Sequence, residues 1–219
     1  MEPPTVVAAL TDLDDEPAAR EYADLVEFRM DQYDGDPLAA LARYDGDLSI
    51  IATNRVTTEG GDAPDRPARL DALAAAAEVT AVDAVDVEAA WLAAGRADQV
   101  RAAATDTRII ASVHDFEGTP SVQAGKVQLR KACEQGAIGK LAVMANDHDD
   151  ALRLLRLTRW AAAEGLPAAT MAMGPAGRHT RALAPLYGSR LTYAPVDTEA
   201  ATAPGQYDLR TLRTLLEQL

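Results

Sequence analysis

Arg108-Ile109-Ile110-Ala111-Ser112-Val113-His114, the segment Ser121–Gln135, and Ile138-Gly139-Lys140-Leu141-Ala142-Val143-Met144-Ala145 together form one strand–helix–strand unit. Both outer runs are short, apolar and rich in β-branched residues, which suits a buried strand; the segment between them is long enough for several helical turns. Two strands joined by a helix of that length lie parallel, because a crossover must carry the chain back before the next strand begins.

The same rhythm extends in both directions. Apolar runs at Thr5–Leu10, Leu25–Arg29, Leu48–Thr53, Ala84–Glu88, Ala169–Ala172 and Arg190–Tyr193 read as further strands. Helical segments fall between them at Glu16–Tyr22, Pro37–Tyr44, Arg66–Ala77, Ala97–Thr105, Asp147–Ala163 and Gly177–Pro185, with Asp208–Gln218 last. Asp147 is placed to cap the helix after it, and Leu152 and Leu155 are assigned to its apolar face, Arg156 and Arg159 to its basic one. The last helix starts at Asp208 and is expected to bury Leu209, Leu212, Leu215 and Leu216. Eight strand–helix pairs in 219 residues predict an α/β fold, a single-domain (β/α)8 TIM barrel. Periodicity does not distinguish a closed barrel from an open doubly wound sheet. No linker or change of composition divides the chain.

The formal net charge is −13, with Lys126, Lys131 and Lys140 the only lysines. So acidic a surface repels nucleic acid and anionic membranes, and neither is expected as a partner. A dense carboxylate surface also suits high salt, where repulsion is screened, so a halophilic setting is expected. No apolar run is long enough to span a bilayer, the N-terminus has no basic start followed by an apolar core, and a lone Cys133 makes no internal disulfide. A cytoplasmic location follows as an expectation.

In a barrel of this type, functional side chains stand at the C-terminal ends of strands. Those places hold Glu27-Phe28-Arg29-Met30-Asp31, Asn54-Arg55 followed by Glu59-Gly60-Gly61, Asp86-Val87-Glu88, Ser112-Val113-His114-Asp115-Phe116 and Lys140. Charged groups converging from several strands are costly unless they pair or bind something. A buried amine loses hydration, which favours its neutral, nucleophilic form; alternatively, Lys140 pairs with one of the nearby acids. His114 on the neighbouring strand is placed to move protons, with Glu59 available to fix its tautomer. Three histidines without paired spacing make no zinc site, and no glycine-rich phosphate motif is present. Leaving the seventh strand, Thr170-Met171-Ala172-Met173-Gly174 either turns into the next helix with its methionines filling the core, or sets them against an apolar substrate face with Arg178 or Arg181 after them for a carboxylate.

Taken together and in order, these blocks resemble the type I 3-dehydroquinate dehydratases, with Thr202-Ala203-Pro204-Gly205-Gln206 completing the set. The resemblance implies dehydration of 3-dehydroquinate to 3-dehydroshikimate in the shikimate pathway, a step in aromatic amino acid biosynthesis. It assigns an imine to Lys140, acid–base work to His114, orientation of that histidine to Glu59, and the substrate carboxylate to Arg181. Glu27, Arg29, Arg55 and Gln206 then contact ring hydroxyls or the carboxylate, while Met171 and Met173 pack on the ring. Thr202 stands where the family usually has serine and keeps the hydroxyl. No metal or organic cofactor is implied, and a homodimer is. The first strand begins so early that the family's floor-closing N-terminal hairpin is expected to be missing or short. A class I aldolase-like barrel, which would carry a phosphate site near strands seven and eight, and a catalytically silent barrel are the competing readings.

Overall fold

The computed structural model describes residues 4–197 and 205–219. Eight strands form one parallel sheet: β1 (Thr5–Leu10), β2 (Leu25–Arg29), β3 (Ile50–Thr53), β4 (Val82–Glu88), β5 (Arg108–Asp115), β6 (Ile138–Met144), β7 (Ala168–Met173) and β8 (Leu191–Pro195). Their order is β7-β6-β5-β4-β3-β2-β1-β8, and every pairing is parallel. Pairing of β8 with β1 curls the sheet into a barrel, which decides against an open sheet. The seam between β7 and β8 is nearly closed: the Arg190 amide donates to the Ala168 carbonyl at 2.8 Å. One residue along, the Ser189 hydroxyl takes the place of a ladder bond. It accepts from the Thr170 amide at 2.9 Å and donates to the Leu191 carbonyl at 3.0 Å.

Helices α1 (Pro37–Arg43), α2 (Pro67–Ala77), α3 (Ala89–Ala93), α4 (Asp98–Ala103), α5 (Val122–Gln135), α6 (His148–Ala163), α7 (Thr180–Leu183) and α8 (Leu209–Gln218) follow the strands. Capping chemistry sets several starts. Side chains of Asp36, Ser121, Asp147 and Asp208 accept first-turn amide hydrogens, as short oxygen-bearing residues do at helix N-termini.

Four sequence readings need correction. The helix expected at Glu16–Tyr22 is a 3-10 turn over Leu13–Ala18, because Asp12 caps the chain earlier than supposed and Pro17 inside the segment donates no amide hydrogen to an α ladder. The segment Gly177–Pro185 begins its helix only at Thr180 and passes into a 3-10 turn at Ala184–Tyr187, again around a proline. Strand β3 starts two residues later than expected, since the Leu48 amide donates to the Glu16 carboxylate instead of a neighbouring strand. Leu152, assigned to the apolar face of α6, is half exposed; Ala151, Leu154, Leu155, Leu157 and Ala161 carry that face instead. The short helix α3 was not foreseen. In α8, Leu209 and Leu212 are buried and Leu215 and Leu216 partly so.

Burial falls into two shells. Between sheet and helices lie residues such as Val6, Phe28, Leu41, Leu73, Val85 and Leu92, with Leu129, Leu141, Leu154 and Leu157 covering β6. Inside the barrel is a layer of Val7, Ile51, Ala84, Ile110, Ala142, Ala169, Met171, Leu191 and Tyr193. That layer packs apolar side chains inside the barrel, with Ala142, Met171 and Tyr193 at its upper edge. Two residues on from Ile51, Ala84 and Ile110 the inward positions turn polar, at Thr53, Asp86 and Ser112.

Candidate active site

Inward-facing residues of β2, β3, β5, β6, β7 and β8 converge on a cleft at the C-terminal end of the barrel, with Asp86 and Glu88 of β4 paired to its cations. The strands deliver them by register. Thr53 is level with Arg29 and Asp86. Ser112 is level with Glu88 and Lys140, and His114 with Ala142, which is level with Met171. Of the residues singled out in the sequence, Lys140, His114, Glu59, Glu27, Arg29, Arg55, Met171, Met173, Arg181 and Gln206 all line this cleft. Thr202 lies outside the described residues.

Lys140 is buried, with its Nζ 2.9 Å from Asp86 Oδ2 and 3.6 Å from Glu27 Oε1. The pairing alternative for this lysine is therefore realised, inside the cleft rather than away from it. Glu27 also accepts from Thr53 Oγ1 at 2.8 Å. Asp86 is the hub: its other oxygen accepts from Arg55 at 2.5 Å and from Ser112 Oγ at 2.6 Å. Burial opposes ionisation of Asp86, but Arg55 and then Lys140 outweigh it and hold the carboxyl well below the usual range. Burial likewise opposes the charge on Arg55, and Asp86 and Glu88 reverse that. Arg69 completes the chain of charges 2.9 Å from Glu88, although its N–H is not aimed at the oxygen. Arg29 is held by a two-pronged contact with Asp31, at 2.7 and 3.0 Å.

His114 is fixed from the loop after β3. Glu59 Oε2 lies 3.0 Å from its Nδ1 and 3.1 Å from its backbone nitrogen. With Glu59 ionised, Nδ1 carries the proton and Nε2 presents its lone pair to the cleft. Burial, then the cations Arg55 and Lys140, push the imidazole well below its usual value, against the pull of Asp86; the ring is neutral and able to accept a proton. Burial raises Glu59 to about 7, against Arg55 and with the help of Glu88. The local backbone needs its glycines. Gly60 has φ 79°, a left-handed turn, and the Phe116 ring packs where its Cβ would stand; at Gly61 a Cβ would strike the Arg55 carbonyl. That explains the sequence Glu59-Gly60-Gly61: the turn folds the carboxylate back over His114.

Arg181 differs from the other buried cations. Arg29, Arg55, Arg69 and Lys140 each meet a carboxylate. Arg181, 2% exposed, has only a 3.4 Å bond to the Tyr193 carbonyl, and its Nε is unpartnered among the described residues. Burial alone lowers it to about 10. A buried guanidinium that meets no carboxylate among the described residues has the geometry to pair with an anion.

The family model for type I 3-dehydroquinase matches residues 4–219. The chain belongs to the type I 3-dehydroquinase family. As a type I dehydroquinase it is a hydro-lyase, and its curated relatives agree. The 3-dehydroquinate dehydratase of Haloarcula marismortui is 54% identical over 220 residues, spanning 98% of this chain and 96% of the relative. That of Halobacterium salinarum is 50% identical, again across 98% and 96%. Halophilic sources fit the acidic balance of this dehydroquinase. The crystal structure of 3-dehydroquinate dehydratase from Geobacillus kaustophilus superposes with a TM-score of 0.85 at 30% identity, covering all of this chain and 91% of the other. Asp86 and Ser112 were read at the strand ends from the sequence but given no role, and Tyr193 was not singled out. Asp86 and Ser112 carried a signal in their period-two spacing with Glu88 and His114; Tyr193, in an apolar run, carried none.

Proposed function

We propose that the chain dehydrates 3-dehydroquinate to 3-dehydroshikimate through an imine between Lys140 and the C3 ketone, with His114 moving the protons. The observation that carries this reading is one cleft holding a buried amine, a neutral imidazole fixed by a carboxylate, and a lone buried guanidinium. The Lys140 nitrogen adds to C3 and water leaves. The resulting iminium draws electrons from C2, so a neutral base suffices to take the C2 proton. His114 Nε2 accepts it, and the imidazolium then gives a proton to the C1 hydroxyl as it departs as water. Arg181 takes the carboxylate, and Met171 and Met173 face the carbocycle. Glu27, Arg29, Arg55, Thr202 and Gln206 supply polar contacts to the remaining hydroxyls or the carboxylate. An aldolase-like reading asks for a phosphate site near β7 and β8; among the described residues the cleft there is lined by Arg181 with Met171, Met173, Tyr193 and Gln206.

The direct test is incubation with 3-dehydroquinate and borohydride. A reduced adduct on the Lys140 peptide, found by mass spectrometry, is expected, together with conjugated-enone absorbance in the absence of borohydride. If folded protein gives neither the adduct nor the enone absorbance, the proposal is rejected.

Two further outcomes follow from the charges. Arg181→Ala should raise KM roughly 10- to 100-fold, the size of a lost charge-assisted pair, with a smaller fall in kcat; Arg181→Lys should recover part of it. An unchanged KM would assign the carboxylate elsewhere. The pH profile follows from Glu59. Protonated below about 7, it no longer fixes Nδ1–H, so kcat/KM of the free enzyme rises through that region. Glu59→Gln should flatten this limb. The sign for stability is opposite: a carboxyl raised in the folded state favours folding most below its unfolded value, and that contribution fades as pH climbs to about 7.

A further inference from the structure

Tyr193 on β8 lines the same cleft, and its hydroxyl has no hydrogen-bond partner among the described residues although the side chain is 3% exposed. Packing does not explain the oxygen. The ring belongs to the interior layer with Val7, Met171 and Leu191, a place that phenylalanine would fill equally well. A buried hydroxyl left open is costly, and such groups are normally satisfied. The carboxylates of Glu27 and Asp86 are turned to Thr53, Lys140, Arg55 and Ser112, and neither receives the Tyr193 hydroxyl. A ligand in the cleft can bring the acceptor.

The ring centre lies 4.3 Å from Lys140 Nζ. A carbonyl carbon within reach of that nitrogen brings its oxygen over the edge of the same ring. We propose that Tyr193 is a further substrate-touching residue, whose hydroxyl donates a hydrogen bond to the C3 oxygen while Lys140 adds to C3. The proposal rests on the imine reading above. As the nitrogen lone pair forms the N–C3 bond, the carbonyl π pair moves onto oxygen, and the phenol stabilises the charge gathering there. The oxygen then leaves as water, carrying two of the three protons that the lysine ammonium began with; the third stays on the iminium nitrogen. The phenol keeps its own proton. Burial, reinforced by Glu27 and Asp86, raises it well above the ordinary tyrosine value, so the hydroxyl acts as a fixed donor and not as an acid.

Tyr193→Phe removes the oxygen and leaves the ring, and should melt no lower than the parent. Rapid-quench borohydride trapping is expected to show imine formation slowed roughly 10- to 100-fold, the loss of one donor to a developing oxyanion. The C2-deuterium isotope effect on kcat should fall, because imine formation then limits turnover. A second measurement needs no turnover. In Lys140→Met, the C3 carbon of bound, carbon-13-labelled 3-dehydroquinate should resonate downfield of its solution value, and adding Tyr193→Phe should abolish that shift. Normal trapping kinetics in Tyr193→Phe, or a shift that survives in the double variant, overturns the role of Tyr193 alone. Absence of any Lys140 adduct in the parent protein overturns the imine reading and this proposal with it.

Discussion

Lys140→Ala should bring turnover of 3-dehydroquinate down by about 10⁴-fold or more, the scale seen when a covalent catalyst is removed. The reason is chemical. Without an imine, the electron sink beside C2 is a neutral ketone, and the neutral imidazole of His114 is too weak a base for that proton. The change also strands charge. Asp86 and Glu27 lose the ammonium that stands 2.9 and 3.6 Å away, while Arg55 still holds Asp86. Lys140→Met keeps more of the volume against Ala142 and Tyr193 and should therefore fold more firmly, yet be as inactive as the alanine variant. Enone absorbance gives the rate and thermal melting the integrity. Substantial activity in a folded Lys140→Met protein would contradict the imine.

His114→Ala gives the second large effect, with a different signature. A positioned acid–base group supplies roughly 10²–10⁴-fold, so turnover should fall by that amount while borohydride still traps an adduct on Lys140. The separation arises because the imidazole is tied to Glu59 at the loop after β3, whereas the amine sits within the Asp86 and Glu27 pair. The variant leaves Glu59 held at this point only by the backbone amide of residue 114. Full retention of kcat would move the base elsewhere. Loss of trapping along with turnover would instead give His114 a part in forming the imine.

Much of this site was readable along the chain because barrel topology turns sequence position into spatial position. Each polar residue at the end of an apolar run is carried by its strand to one rim. Ten of the eleven residues assigned from the sequence line one cleft; the eleventh, Thr202, falls outside the described residues. Lys140 and His114 were placed on adjacent strands, and the register of β5 with β6 puts them there. What sequence spacing misjudged was local. Pro17 and Pro185 shortened helices that periodicity had drawn through them, and Leu152 took the solvent side of α6 despite its apolar side chain.

The sequence by itself determined the strand–helix alternation, the placing of Lys140 and His114 on neighbouring strands, and the acidic balance, because these follow from residue type and period. Tertiary structure alone decided who pairs with whom. That Asp86 joins Lys140, Arg55 and Ser112 in one buried network depends on the register of four strands. That Arg181 meets no carboxylate among the described residues depends on what β7 and β8 bring beside it. Closure of the barrel through β1 and β8 set the amine over the Tyr193 ring. Contacts between residues far apart in the chain are fixed by packing, and linear spacing holds no record of them.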